Sequence, residues 1–212
     1  MPSWNAGAHE HTHGSAASVP LRERLRNETA ALHEELERRL ALLDPNLSRE
    51  RYESVLRAMY GYYSVLEPRM LALAASNPPS SFALERRTSS LERDLVHLGH
   101  DNRALLAIPR CDLLPELEKL EQLAGCLYVI EGAALGGQLI VRELGRRFGL
   151  DETNGAAFFA GNRRGVAARW QRVVHWLNAL PVPDDDHHLA TTSAQDTFAT
   201  LARWMRLQGA SV

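Results

Sequence analysis

From Leu21 onward the apolar residues of this chain recur at every third or fourth position, and no stretch sustains the period-two alternation of a half-buried strand. Leu21, Leu25, Leu32, Leu36, Leu40 and Leu43 form the first such stripe, with charges between them. A period of this kind turns one face of each segment toward a core, so it predicts an all-α fold of about six to eight helices. Pro45 ends the first helix. Ser48 caps a second that runs to about Ala75, with Glu50 in its first turn, a kink expected at Pro68, and a stop at Pro78-Pro79. A third helix is expected over 82–98, ending at Gly99, with a short helical turn to Leu106. The fourth should start with Pro115 at its first position and reach Phe148 before Gly149. Helices over 156–180 and 194–207 follow, separated by the loop PVPDDDHH. Residues 1–19 have no apolar period and are expected to form a disordered tail, leaving 20–212 as a single helical domain.

Composition narrows the function classes. A chain of 212 residues suits one domain, large enough to bury roughly 70% of its unfolded surface without a disulfide or metal staple. A formal net charge of −2 argues against nucleic-acid binding through bulk positive charge. The longest uninterrupted apolar run falls far below the ~20 residues of a membrane span. Cys111 and Cys126 form no Cys-x-x-Cys pair, and the first residues lack a signal peptide's apolar core, so a reducing cytoplasm is the expected home. Of the 24 basic residues only Lys119 is a lysine, and it lies in a run that reads as a solvated helix face, which disfavours lysine catalysis.

The fourth helix carries an anomaly. Within LAGCLYVIEGAALGGQLIVREL stand Gly125, Gly132, Gly136 and Gly137, each costing about 1 kcal/mol of helix propensity relative to alanine. Two uses offset such a cost: close helix packing through Gly132-x-x-x-Gly136, or a bent helix that lays bare backbone against a flat ligand. On the first helix, His33 sits beside the leucine stripe with Glu37 one turn on. It is either a packed core histidine or a ligand to a metal or haem iron, its second ring nitrogen oriented by Glu37 directly or through water. Arg26, seven residues earlier, is either a surface arginine or a partner for an anionic group.

The segments LRNETAALHEELE and, about a hundred residues later, LYVIEGAALGGQLI resemble the biliverdin-forming haem oxygenases, especially the bacterial branch associated with phytochromes. The resemblance covers most of 21–207, including SLERDLVHLG, FFAGNRRGVAARW and DTFATLARWM. It implies a multihelical bundle with a kinked distal helix, in which haem is both cofactor and substrate and is opened with O₂ and electrons to biliverdin, CO and ferrous iron. On that resemblance His33 is the proximal iron ligand and Glu37 its acidic neighbour, while Gly132, Gly136 and Gly137 lie over the porphyrin. Arg26 meets a haem propionate, and a further basic partner comes from Arg163, Arg164, Arg169 or Arg172, with Arg169 taken as the candidate. Tyr128 is a polar wall residue or an ordinary packed aromatic. Many relatives carry an aspartate after the first distal glycine, where this chain has Ala133, so the distal donor falls to the helix backbone, Gln138 or Arg142 with water. No Gly-x-Gly-x-x-Gly fingerprint is present, so electrons are expected from a separate reductase or ferredoxin. The implied partners are haem, O₂ and that donor, with biliverdin supplied to a phytochrome as one use; no nucleic acid or membrane is expected, and the chain is a monomer or homodimer.

Competing readings are a haem carrier without turnover and a non-haem metal oxidase of related helical fold. The second needs Glu-x-x-His pairs on facing helices, and Glu10 to His13, in the tail, is this chain's only one. His9–Glu10–His11–Thr12–His13 matches a zinc-protease spacing but lacks the apolar context of a helix. Asp94, His97 and His100 have the better metal spacing, interrupted by Gly99.

Overall fold

The structure, a computed structural model, describes residues 19–76, 79, 83–161, 165–180 and 187–211. These form eight helices: α1 Leu21–Leu40, α2 Arg49–Ser76, α3 Thr88–His97, α4 Asn102–Leu106, α5 Leu120–Phe148, α6 Ala157–Ala160, α7 Val166–Ala179 and α8 His187–Leu207. No strand occurs among the described residues, in agreement with the all-α expectation. The 1–18 part of the tail, including the histidine cluster, lies outside them.

Several helices begin or end for a readable reason. The leucine stripe of α1 buries Leu21, Leu25, Leu36 and Leu40, and the chain leaves the helix at Ala41, which takes a left-handed conformation with φ 50°. Ser48 Oγ accepts the Arg51 amide at 3.1 Å and starts α2, which continues as helix through Pro68. Glu67 Oε2 accepts both the amide and the hydroxyl of Thr88 at 2.8 Å, and α3 starts there rather than at residue 82. Asp101 caps α4 by accepting the Ala104 amide at 2.7 Å.

Three further expected boundaries move. Residues 115–119 are not helical, because Gln122 Oε1 accepts the amides of Glu118 and Lys119, at 2.9 and 3.0 Å, and fixes a non-helical approach to α5. The single helix expected over 156–180 is divided into α6 and α7, with Gly161 leaving α6 at φ 52° and ψ −152°. The last helix begins at His187, one to two turns before residue 194.

The centre of the bundle is α5, which packs against α8, α7, α6, α2 and α1. By length and composition it is apolar enough to cross a bilayer, with a mean hydropathy of 1.5 over its most apolar window, half of which is buried in the bundle. Two of its glycines permit this packing. A Cβ at Gly125 would lie 2.0 Å from the Ala190 carbonyl oxygen of α8, and one at Gly137 would lie 2.1 Å from that of Phe159 in α6. A Cβ at Gly136, by contrast, meets nothing nearer than Glu37 Oε1 at 3.9 Å. Gly125→Ala should therefore destabilise the protein by about 2 kcal/mol, overpacking outweighing the gain of about 1 kcal/mol in helix propensity, whereas Gly136→Ala should be neutral or stabilising. Urea unfolding of the two variants checks the contrast.

Candidate active site

A cavity of about 700 Å³ opens between α1 and α5, with α2, α6 and α8 closing its inner side. Its lining is mostly apolar: Leu36, Met59, Val129, Ile140, Phe158, Phe159, Phe198 and Leu201 contribute from five helices. Leu43, Leu135 and Leu139 line it while remaining exposed, which gives the opening an apolar lip. This volume lies within the ~300–1,000 Å³ range of sites that bury a sizeable organic ligand.

His33 and Glu37 of α1 both line the cavity. The imidazole is half-exposed, with Nε2 at 3.6 Å from Glu37 Oε1, too long for a hydrogen bond. The ring packs edge-on against Phe198 of α8, centroids 5.9 Å apart. That contact limits how the imidazole can turn while leaving it available as a donor to a metal.

On α5 the expected glycines separate by face. Gly136 lines the cavity together with Ala133 and Ala134. Gly132 faces the Trp170 ring of α7, 3.5 Å from where its Cβ would lie, and Gly137 faces the backbone of Phe159. Tyr128, one turn before Gly132, lies against the same Trp170 with ring centroids 5.6 Å apart. Close packing falls on Gly125 and Gly137 rather than on the expected Gly132-x-x-x-Gly136 pair, while Gly136 faces open space toward the cavity.

The basic residues are distributed differently from the expected set. Arg26 is exposed on α1 and is not among the cavity-lining residues. Arg169 of α7 is buried in an ion pair with Glu131 of α5, through Nε at 2.8 Å and Nη2 at 2.6 Å, and its Nη1 donates to the Ala83 carbonyl at 2.9 Å. Arg163 and Arg164 lie outside the described residues. Among the described residues, the arginines that do line the cavity are Arg38, bound to Glu35 on α1, and Arg87. Gln138 donates to the Ala160 carbonyl at 2.8 Å, and Arg142 is exposed away from the lining.

Sequence reasoning missed Tyr63, Arg87, Phe158, Phe159 and Phe198, which reach the cavity from four separate segments. Only the FFAG run next to the glycine-bearing loop carried a signal, as an apolar cluster too short to be a core helix by itself. Phe158 and Phe159 are held by Asp94, whose buried carboxylate accepts the amides of Ala157 and Phe158 at 2.7 and 2.8 Å. Burial raises the Asp94 carboxyl above its ordinary value, with those two donors working against the shift. Asp94 is therefore an anchor for α6. His97 contacts the Arg93 carbonyl and His100 contacts Glu53 at 2.6 Å, so the metal spacing read from these residues is not assembled. Among the described residues no group of three or more His, Cys, Asp or Glu side chains is placed to hold a metal ion.

This all-helical bundle, with a histidine and a helix bearing a glycine on the two sides of an apolar slot, has clear counterparts. The family model described as Heme oxygenase matches residues 19–207, and the chain belongs to this family. Over 179 residues it is 29% identical to "Heme oxygenase PigA" of Pseudomonas aeruginosa, covering 83% of this chain and 86% of that one. Its fold is similar to that of the NO- and CO-bound heme oxygenase from Neisseria meningitidis, with a TM-score of 0.74 and 20% identity over 90% of this chain and 92% of the other. It is likewise similar to heme oxygenase-2 from Synechocystis sp. PCC 6803 in complex with heme and NO, with a TM-score of 0.75 and 19% identity over 90% and 85% of the two chains.

The Glu131 cluster makes a testable electrostatic statement. Burial raises the Glu131 carboxyl, but the hydrogen bonds and charges of Arg169 and Arg87 outweigh it and hold the group below its ordinary value of 4.5. A lowered carboxylate contributes stability that is complete above 4.5 and is lost as the pH falls through the lower folded-state value. Glu131→Gln should cost about 3 kcal/mol at pH 7, because it leaves buried arginines without their counter-charge. The difference from the native chain should shrink steadily below pH 4.5. Denaturant unfolding at a series of pH values measures both.

Proposed function

We propose that this chain opens haem with O₂ and reducing equivalents, releasing biliverdin, CO and ferrous iron. The observation that carries the reading is the apolar slot itself, whose walls present the His33 imidazole from α1 and the bare backbone of Gly136 from α5. The donor set fits the group: a neutral imidazole suits haem iron, and the lining of leucines, phenylalanines and alanines suits a porphyrin's faces.

Bound in this slot, haem supplies the one-electron and O₂ chemistry, and the chain supplies position and surroundings. His33 would hold the iron, Phe198 limits the turn of its ring, and Glu37 stands where it can accept from the imidazole after a small movement. Gly136 admits a flat ligand closer to α5 than any side chain would. Phe158, Phe159 and Ile140 exclude bulk water from the inner end. Arg38, at the rim, is an exposed lining cation and can meet a propionate by exchanging its contact with Glu35. Electrons come from a separate ferredoxin or reductase. We take the cytoplasm as the compartment, in keeping with Cys111 and Cys126, which are both free and buried.

Ala133 favours a second reading, a haem carrier, since its methyl group lines the cavity and offers no hydrogen bond. Reductant and O₂ added to the haem complex separate the two: an oxygenase replaces the Soret band with the spectrum of biliverdin, and a carrier retains haem or bleaches. His33→Ala should abolish the normal ferric spectrum and lower turnover by more than about a hundred-fold, beyond the ~10–100-fold typical of losing a residue behind a metal ligand; an unchanged ferric spectrum contradicts the assignment. Gly136→Leu should block productive haem binding with helicity intact by circular dichroism, and undiminished turnover in that variant contradicts a ligand-facing role.

A further inference from the structure

With Ala133 apolar, Gln138 engaged with Ala160 and Arg142 away from the lining, none of the polar side chains expected to face a ligand on the α5 side does so. The polar lining residues His33, Glu37, Arg38 and Asp44 belong to α1 and the loop after it. On the inner side two remain among the described residues: Tyr63 of α2 and Arg87, which stands at the start of α3.

Arg87 is 8% exposed and lies against α5, its Nη2 donating to Glu131 Oε2 at 3.3 Å. The short bonds to that carboxylate, at 2.6 and 2.8 Å, belong to Arg169, and Arg87 holds it by the longer Nη2 contact. Arg87 Nε is buried with no acceptor. A guanidinium has five N–H donors, and leaving the Nε–H without an acceptor in a buried position is costly. Arg169 divides its charge between Glu131 and Glu85, so Arg87 answers part of the Glu131 charge through Nη2 while its Nε stays without an acceptor beside the cavity. Beside it, burial pushes the Tyr63 phenol up to about 12 against the pull of the Arg87 charge, so the hydroxyl keeps its proton at neutral pH.

We propose that Arg87 supplies the charged hydrogen-bond donor for a small anionic or polarised ligand held in the cavity on the α5 side, the part that Ala133 cannot play. Glu131 acts as the positioning residue that keeps the guanidinium at the wall. The inference rests on the proposed haem binding and goes beyond it in assigning the polar contact to a side chain outside both the histidine helix and the glycine helix.

The test uses the full chain loaded with ferric haem and two probes that take the iron position not held by His33: azide, an anion, and imidazole, which is neutral. Loss of one charge-assisted hydrogen bond should weaken azide about ten-fold or more in both Arg87→Leu and Arg87→Gln, with imidazole affinity within about three-fold of the native chain. Arg87→Lys, which retains the charge, should keep azide within about three-fold. Arg87→Gln keeps a donor for Glu131 and answers the question if Arg87→Leu fails to fold. Unchanged azide affinity in the neutral variants overturns the proposal, as does an equal loss of azide and imidazole, which signals a collapsed pocket. A native chain that takes up no haem overturns the haem reading and this inference together, whereas haem uptake with azide indifferent to Arg87 removes this inference alone.

Discussion

A carboxylate in the middle of an apolar helix has to be answered by cations, and the answer given to Glu131 organises this molecule. The residue is 4% exposed near the centre of α5. Arg169 reaches it from α7 and Arg87 from the segment leading into α3, so one charge ties together three elements remote in sequence. Arg169 extends the tie to the Ala83 carbonyl and to Glu85 at 3.4 Å. Such a cluster gains little over an equally packed apolar core, but removing one member leaves a bare charge in low dielectric. It consequently specifies where α7 and the approach to α3 sit against α5, and with them the inner wall of the cavity.

The remaining walls are held by backbone contacts. Asp94 grips the first amides of α6, the Tyr52 hydroxyl donates to the Gly155 carbonyl at 2.7 Å, and Gly137 lets the α6 backbone touch α5. Phe158 and Phe159 are thereby fixed as the inner end of the slot. On the other side, α1 packs on α8, which sets Phe198 against His33. The ligand-facing surface is therefore made by elements whose positions are determined outside it, the arrangement expected of a preorganised site.

Much of this was legible in the order of residues, and the illegible part has a common cause. The leucine stripe of α1, the caps at Ser48 and Gly149 and the apolar length of α5 follow from local periodicity and turn chemistry. His33, Glu37 and Gly136 could be singled out because each breaks a pattern within its own helix. Tyr63, Arg87 and Phe198 break no local pattern and acquire their places only when distant helices meet. Arg169 shows the same limit from the other side: an arginine run reads as a surface for anions, but its commitment to Glu131 is visible only in three dimensions. Pro115 is favoured at a helix start, yet the side chain of Gln122 bonding back to two amides settles the boundary at Leu120. Gly132 and Gly137 were as conspicuous as Gly136, and their facing α7 and α6 follows from the rotation of α5 in the bundle.

The most direct measurement is a crystal structure of the full chain grown with ferric haem. The geometry described here predicts the porphyrin between α1 and α5, with a His33 ring nitrogen on the iron and the Gly136 backbone facing the opposite side of the ring. Iron held by another residue, or haem bound outside this slot, would contradict it.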